Sequence, residues 1–248
     1  KSVIILFLSI LILDIFYPAY SDEFNFNVTE LEITENANII KGINGGVVNT
    51  KNEEITIKAD NFNYNKLTTL LEAEGNVRLV DKVADVVIES NQIFYLKNKE
   101  EIYTKGKSVA LNGSDIQIDA DQYFKYNKLT SIMEAKGNVK LDDKNENVII
   151  YTNEIFYFIN EEKIFSLGKT NIDFEDKYNM EGSDLTLLRN EMILSSKKDV
   201  IIVDSESNTY KLEQFQYSID KEILKGDNIV AITSDKENKS DEFFFKTG

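Results

Sequence analysis

The segment "LLEAEGNVRLV" alternates apolar and polar positions without a break. Leu71, Ala73, Gly75, Val77 and Leu79 fall on one side, and Glu72, Glu74, Asn76 and Arg78 fall on the other. A period of two marks a half-buried β-strand. "IMEAKGNVKL" repeats the pattern with Met133, Ala135, Gly137, Val139 and Leu141. The stretches between such runs, "YNKLT", "LKNKEE" and "INEEK", are short and polar, as antiparallel hairpins require. No segment beyond the first two dozen residues carries a helical period, so the pattern predicts an all-β chain.

The pattern also repeats. "YNKLTTLLEAEGNV" at Tyr64 returns as "YNKLTSIMEAKGNV" at Tyr126, and just over half of the positions in the two surrounding stretches are identical. The finer spacing is half of that interval. Tyr64, Tyr95, Tyr126 and Tyr157 are each 31 residues apart, and so are Gly75, Gly106, Gly137 and Gly168. Two positions before each glycine stands a small residue, Ala73, Thr104, Ala135 or Ser166. Four positions before stands an apolar one: Leu71, Ile102, Met133 or Ile164. A fixed period of this length is the mark of stacked supersecondary units, each read here as two strands and a turn. Stacking is common to an antiparallel jellyroll folded like a taco and to the runner-up, a parallel β-solenoid.

Glycine inside a strand is destabilising and is usually retained for a bulge, a bend or a close approach. Four in register would form a column along the sheet. Such a column either folds the sheet over on itself or relieves packing within an ordinary sandwich, and the pattern alone leaves both open. "VVIES", "VIIYT" and "VIIVD", together with "IFYL" and "IFYF", are apolar on both faces. They read as deeply buried strands, or as surplus apolar interior open to a greasy ligand.

Composition narrows the chemistry. The net charge is −15, which disfavours nucleic acid and anionic lipid headgroups as partners. His, Cys and Trp are all absent, so Ser-His-Asp and Cys-His nucleophiles, disulfides and the usual zinc sites are excluded. "DKNENVIIYTNE" superficially fits a calcium loop, but Val148 stands where glycine is needed. Asp60, Asp121 and Asp184 recur at unit boundaries and read first as turn residues. No catalytic, metal or cofactor site is expected. At the amino terminus, Lys1, the apolar run Val3–Leu13 and the small-residue site Ala19-Tyr20-Ser21 have the form of a secretory signal peptide over residues 1–21. An uncleaved anchor is the alternative, although Asp14 and the short run count against it.

The combination Ala59-Asp60, Tyr64, Ala73, Gly75-Asn76-Val77 recurs as Ala120-Asp121, Tyr126, Ala135, Gly137-Asn138-Val139. It resembles the OstA-like repeat of the lipopolysaccharide-transport proteins, over roughly Phe24 to Ile232. The resemblance implies a V-shaped antiparallel β-jellyroll whose inside holds lipid acyl chains. It places the domain at 22–240 and the start of a linker, to a further domain, at 241–248. Within the family the chain looks most like the amino-terminal periplasmic domain of LptD, with the soluble bridge LptA second. No barrel segment and no cysteine is present, which departs from some members. On this reading Leu71, Ala73, Val77, Leu79, Ile102, Met133, Ala135, Val139, Leu141 and Ile164 line the groove. Gly75, Gly106, Gly137 and Gly168 are the bends. "FNFNVTELEIT" becomes a docking edge through Phe24, Phe26, Val28, Leu31 and Ile33, with a phase shift between Val28 and Leu31. The implied partners are lipopolysaccharide, an LptA-like jellyroll paired edge to edge, and an outer-membrane barrel with its lipoprotein. The implied location is the periplasm, at the outer membrane if a barrel follows. A purely structural secreted β-repeat with a dry interior, and an envelope enzyme, are the competing classes.

Overall fold

The computed structural model describes residues 23–174 and 177–233, and the backbone of 242–244. The expected signal segment lies outside them, as does most of the expected linker. The described residues form one sheet of 22 strand segments, with two short 3-10 turns and no α-helix. Every pairing in it is antiparallel, from Phe24–Thr34 on Ile39–Thr50 to Val230–Ile232 on Glu242–Phe244. The jellyroll or taco expectation holds, and the parallel solenoid does not.

The segments join into long strands that run in chain order, each bonded to the one before and the one after. Ile55–Ala59 and Asn61–Asn65, for example, are two halves of one strand. The first half pairs with Arg78–Asp81 and the second with Leu70–Glu74, both within the strand Leu70–Asp81. One 31-residue repeat is therefore two such strands. Every strand has a kink near its middle, and the kinks stack into a crease that divides the sheet into two arms. We call the arm holding Asn61–Asn65 the first arm and the arm holding Ile55–Ala59 the second.

Backbone conformation makes the crease. Gly75, Gly106, Gly137 and Gly168 have φ of 83°, 79°, 88° and 79°, the left-handed region that glycine enters at no steric cost. Asn76 and Asn138 follow Gly75 and Gly137 with φ of 47° and 44°. At those two sites the ladder slips, between Glu74 and Val77 and between Lys136 and Val139, as in a β-bulge. The kink turns the strand back on itself. Thr104 and Ser108, which flank Gly106, bring their hydroxyls to 2.6 Å, and Ser166 and Thr170 do the same about Gly168 at 2.8 Å. Small residues recur two places before each glycine because the arms converge there.

Both arms carry their apolar faces inward. The strand Leu70–Asp81 buries Leu71, Ala73, Val77, Leu79 and Asp81, and Ile132–Asp143 buries their counterparts. Together the inward side chains make a single apolar cluster from Phe24 to Ile219. On the two-faced strands the inward apolar set is buried, while the second set faces outward, where Ile201 and Tyr151 are about 40% exposed and Phe94 is buried against Tyr103.

The crease glycines should differ in tolerance. A Cβ on Gly75 would lie 2.3 Å from an Asp60 carboxylate oxygen, and one on Gly137 would lie 2.4 Å from Gln122 Cγ. A Cβ on Gly106 or Gly168 meets nothing within 4 Å. Gly106→Ala is expected to cost about 1 kcal/mol for the left-handed backbone alone. Gly75→Ala should cost roughly 2–4 kcal/mol, because overpacking is added. Urea unfolding of the two variants measures the gap, and equal losses would refute this account of the crease.

Candidate functional site

The repeated side chains meet at three levels, the crease, the middle of the arms and their far ends. At the crease the Ala-Asp of the repeat has a structural task. Asn76 Nδ2 donates to Asp60 Oδ2 at 2.8 Å, and Asn138 Nδ2 donates to Asp121 Oδ2 at 3.0 Å. Gly168 N donates to Asp184 Oδ1 at 2.8 Å. Each carboxylate thus caps the kink of the adjacent strand. Asp60, Asp121 and Asp184 are corner residues; the Asn of Gly-Asn-Val is the donor to the first two, and the Gly168 N–H is the donor to the third.

Midway along the arms lie the residues expected to line a groove. Leu71, Ala73, Val77, Leu79, Ile102, Met133, Ala135, Val139, Leu141 and Ile164 all point inward, and none is more than 2% exposed. A channel open to solvent would leave such side chains accessible. The walls instead bury each other in one apolar cluster. An open trough along the middle of the stack is therefore not what the structure has.

At the far ends of the arms, opposite the crease, the sheet closes with side chains alone. Tyr126 and Lys128 of the first arm reach Asp81 of the second at 3.4 and 3.2 Å, and Lys128 also reaches Glu54 at 3.4 Å. Tyr157 donates to Asn112 Oδ1 at 3.2 Å. Arg189 of the first arm bonds Asp143 at 2.6 Å and Asp115 at 2.9 Å on the second, and also Glu162 beside it. Aromatic contacts bracket this row. Phe24 packs edge-on against Tyr64 and Tyr95 at one end, and Phe174 packs against Tyr217 at the other. Asp81 and Asp143 have no exposed surface, so the row seals the interior. "DKNENVIIYTNE" holds no calcium loop: Asp143 is engaged by Arg189, and Val148–Phe158 is a strand.

The electrostatics follow from that burial. Desolvation pushes the Tyr157 phenol up to about 12, against an opposing pull from Arg189, and raises Tyr126 and Tyr95 further beside Asp81 and Glu100. Desolvation alone would lower Arg189, but the hydrogen bond and charge of Asp143 outweigh it and hold the guanidinium above its ordinary range. These phenols stay protonated and the guanidinium stays charged at neutral pH. No group of three or more His, Cys, Asp or Glu side chains among the described residues is placed to hold a metal ion.

The Tyr126–Asp81, Tyr157–Asn112 and Arg189–Asp143 contacts join residues 45 or 46 apart in sequence, which is three strands of the meander. Among the described residues, the offset leaves part of the first arm without a facing wall at one end and a cavity between the arms at the other. At the amino-terminal edge, Leu31 and Ile33 face the same way as their partners Gly42 and Ile40, yet are 51% and 55% exposed. Phe24, Phe26 and Val28 of that strand, before the slip between Val28 and Glu30, are buried or half-buried. At the carboxy-terminal end, a cavity of about 240 Å³ opens between the arms, lined by Tyr178, Met180, Ile202, Tyr210, Tyr217 and Leu224, with Asp204 and Glu222. Alternation along the chain marks the inward side of the strands, but no local pattern marks the mouth row or the end cavity.

No protein family description and no curated protein matches the chain. Among solved structures it is similar to LptH of Pseudomonas aeruginosa, the LptA-homologous periplasmic component of the lipopolysaccharide transport device. That likeness has 11% identity over 70% of this chain and 81% of that one, with a TM-score of 0.20. A second likeness is to the TCP10 domain of Danio rerio CPAP, in complex with a peptide of Danio rerio STIL. It has 7% identity over 88% and 99% of the two chains, with a TM-score of 0.21. Likeness at this level says nothing about ligand or partner.

The Arg189 contacts give a direct test. Arg189→Ala leaves Asp143 buried without its cation, which should lower stability by about 3 kcal/mol. Replacing both residues with apolar ones of similar size, Asp143→Leu with Arg189→Met, should recover most of that loss in urea unfolding. A single variant as stable as the parent would mean that the mouth is not sealed there.

Proposed function

We propose that the protein carries lipopolysaccharide by its acyl chains in the periplasm, passing it toward the outer membrane. The observation that carries this reading is the interior itself. Among the described residues it is one apolar file along the stack, closed at the mouth by side chains, with exposed Leu31 and Ile33 at one end and a cavity between the arms at the other. Moving a 12-carbon chain through water exposes about 0.8 kcal/mol per CH₂, or roughly 10 kcal/mol in all. A continuous apolar file removes most of that penalty with neither reaction nor cofactor. The repeated Ala-Asp, Tyr and Ala-x-Gly-Asn-Val segments support the same ligand class by their resemblance to OstA-like repeats. In the finer assignment the chain is the amino-terminal domain of an LptD-type protein ahead of a barrel, with a free-standing LptA-type bridge second. No helix among the described residues is long and apolar enough to cross a membrane, which leaves β-barrels untouched.

The tight packing of the wall residues favours a second reading, a purely structural β-repeat whose interior stays dry. Photo-crosslinkers decide between the two. On the carrier reading, probes at Met133 or Val139 capture lipopolysaccharide, and the same probe at Glu134, on the outer face, does not. Capture at neither position in protein incubated with lipopolysaccharide would leave the structural reading.

The edge strand Phe24–Thr34 is the proposed docking site for another jellyroll of the same type. It pairs on one side only among the described residues, and Leu31 and Ile33 continue the inner face beyond its covered part. Leu31→Lys with Ile33→Lys alters two half-exposed side chains and spares the buried Phe24. This variant should keep its melting temperature within about 2 °C, since substitutions at exposed sites usually change stability little. It should lose co-purification with an LptA-like partner. Binding that survives the change would refute docking at this edge.

A further inference from the structure

We propose that the row of side chains along the mouth is a lateral gate, through which the ligand's apolar tails enter and leave the interior sideways. The inference rests on the carrier reading and adds the route. Four observations point to it. The arms share backbone hydrogen bonds only through the continuous meander, and no ladder crosses the mouth among the described residues. Opening the mouth therefore breaks side-chain contacts and leaves every strand pairing intact.

The chemistry of those contacts is the second point. Where the interior needs only to stay closed, apolar residues would hold the lips at least as firmly, because a buried ion pair scarcely repays its desolvation. The lips instead place Lys128 against Asp81 and Glu54, and Arg189 against Asp143 and Asp115. When the mouth opens, these charges return to water, which compensates for the broken bonds. The cost that remains is exposure of the apolar walls, and a bound tail removes it by covering them. Opening is thus coupled to occupancy: an empty interior favours the closed mouth, and a filled one tolerates the open mouth.

The pattern is the third point. Asp81 and Asp143 are 62 residues apart, and Lys128 and Arg189 are 61 apart, so the same latch recurs at each double repeat. The crease is the fourth. Its left-handed glycines, with open space around Gly106 and Gly168, form a line about which the arms can separate.

The chain has no cysteine, so Glu54→Cys with Lys128→Cys puts one thiol on each lip. A bis-maleimide with a reducible centre bridges them. The probes are a fluorescent long-chain fatty acid and purified lipopolysaccharide, added to the full chain with the bridge intact or reduced. The gate predicts uptake slowed by about tenfold or more in the bridged protein and restored on reduction. Lys128→Met, which weakens the latch without a bridge, should take up both probes faster than the parent. Equal rates with and without the bridge, or no acceleration in Lys128→Met, overturn the gate and leave the carrier reading standing, with end-on passage as the route. No uptake by the reduced protein or the parent overturns the carrier reading, and the gate falls with it.

Discussion

A single sheet with one apolar face, and no α-helix among the described residues to cover it, has only itself to pack against. Every large feature of this protein follows from that constraint. The alternating strands set apolar side chains on one side, and burying that side requires the sheet to close over it. Closure demands a sharp turn in every strand at the same level. The turn must also be made without losing the ladder, since unpaired N–H and C=O groups in an interior are costly. Glycine in the left-handed region meets the first demand. Backbone bonds between neighbouring corners meet the second: the N–H groups of Asp60, Asp121 and Asp184 donate to the carbonyls of Gly75, Gly137 and Gly168.

Closure at the crease and closure at the mouth differ in kind. The crease is covalent and hydrogen-bonded, and it turns on a left-handed glycine every 31 residues from Gly75 to Gly168. The mouth is assembled from residues far apart in sequence, and its members vary along the stack from aromatic to ionic and back to aromatic. The result is an interior with one fixed wall and one wall made of separable contacts. A core of this size could have been sealed with leucines throughout. That it is sealed in its middle stretch by a fully buried Asp81 and Asp143 is the departure from ordinary packing, and the carrier reading gives it a purpose.

The crease and the inward face were legible in the sequence because both are local. Alternation from Leu71 to Leu79 fixes the side each residue faces, and the interval from Gly75 to Gly106 fixes the stacking. The mouth was not legible. Its 45-residue offset is set by how the twisted arms meet, and it is no multiple of the 31-residue period, so nothing along the chain announces it. Asp143 carried a misleading local signal, a fragment of a calcium loop, while its real partner lay at Arg189. The two-faced strands misled for a different reason. A pattern shows how many faces are apolar but not whether anything covers the second, and here the outer face of the arms stays at the surface.

The three-strand offset across the mouth has one more consequence. A sheet folded with its edges level would end in a square cut, whereas this one ends in a bevel. The first arm overhangs at Leu31 and Ile33, and at the other end a cavity stands open between the arms beside Tyr178 and Tyr210. Two bevels of the same hand meet as a carpenter's scarf joint does, with overlap in place of a butt seam. In such a splice the overhang of one piece roofs the bare wall of the other. A greasy passenger crossing the splice would meet no wet step, whichever way it travelled.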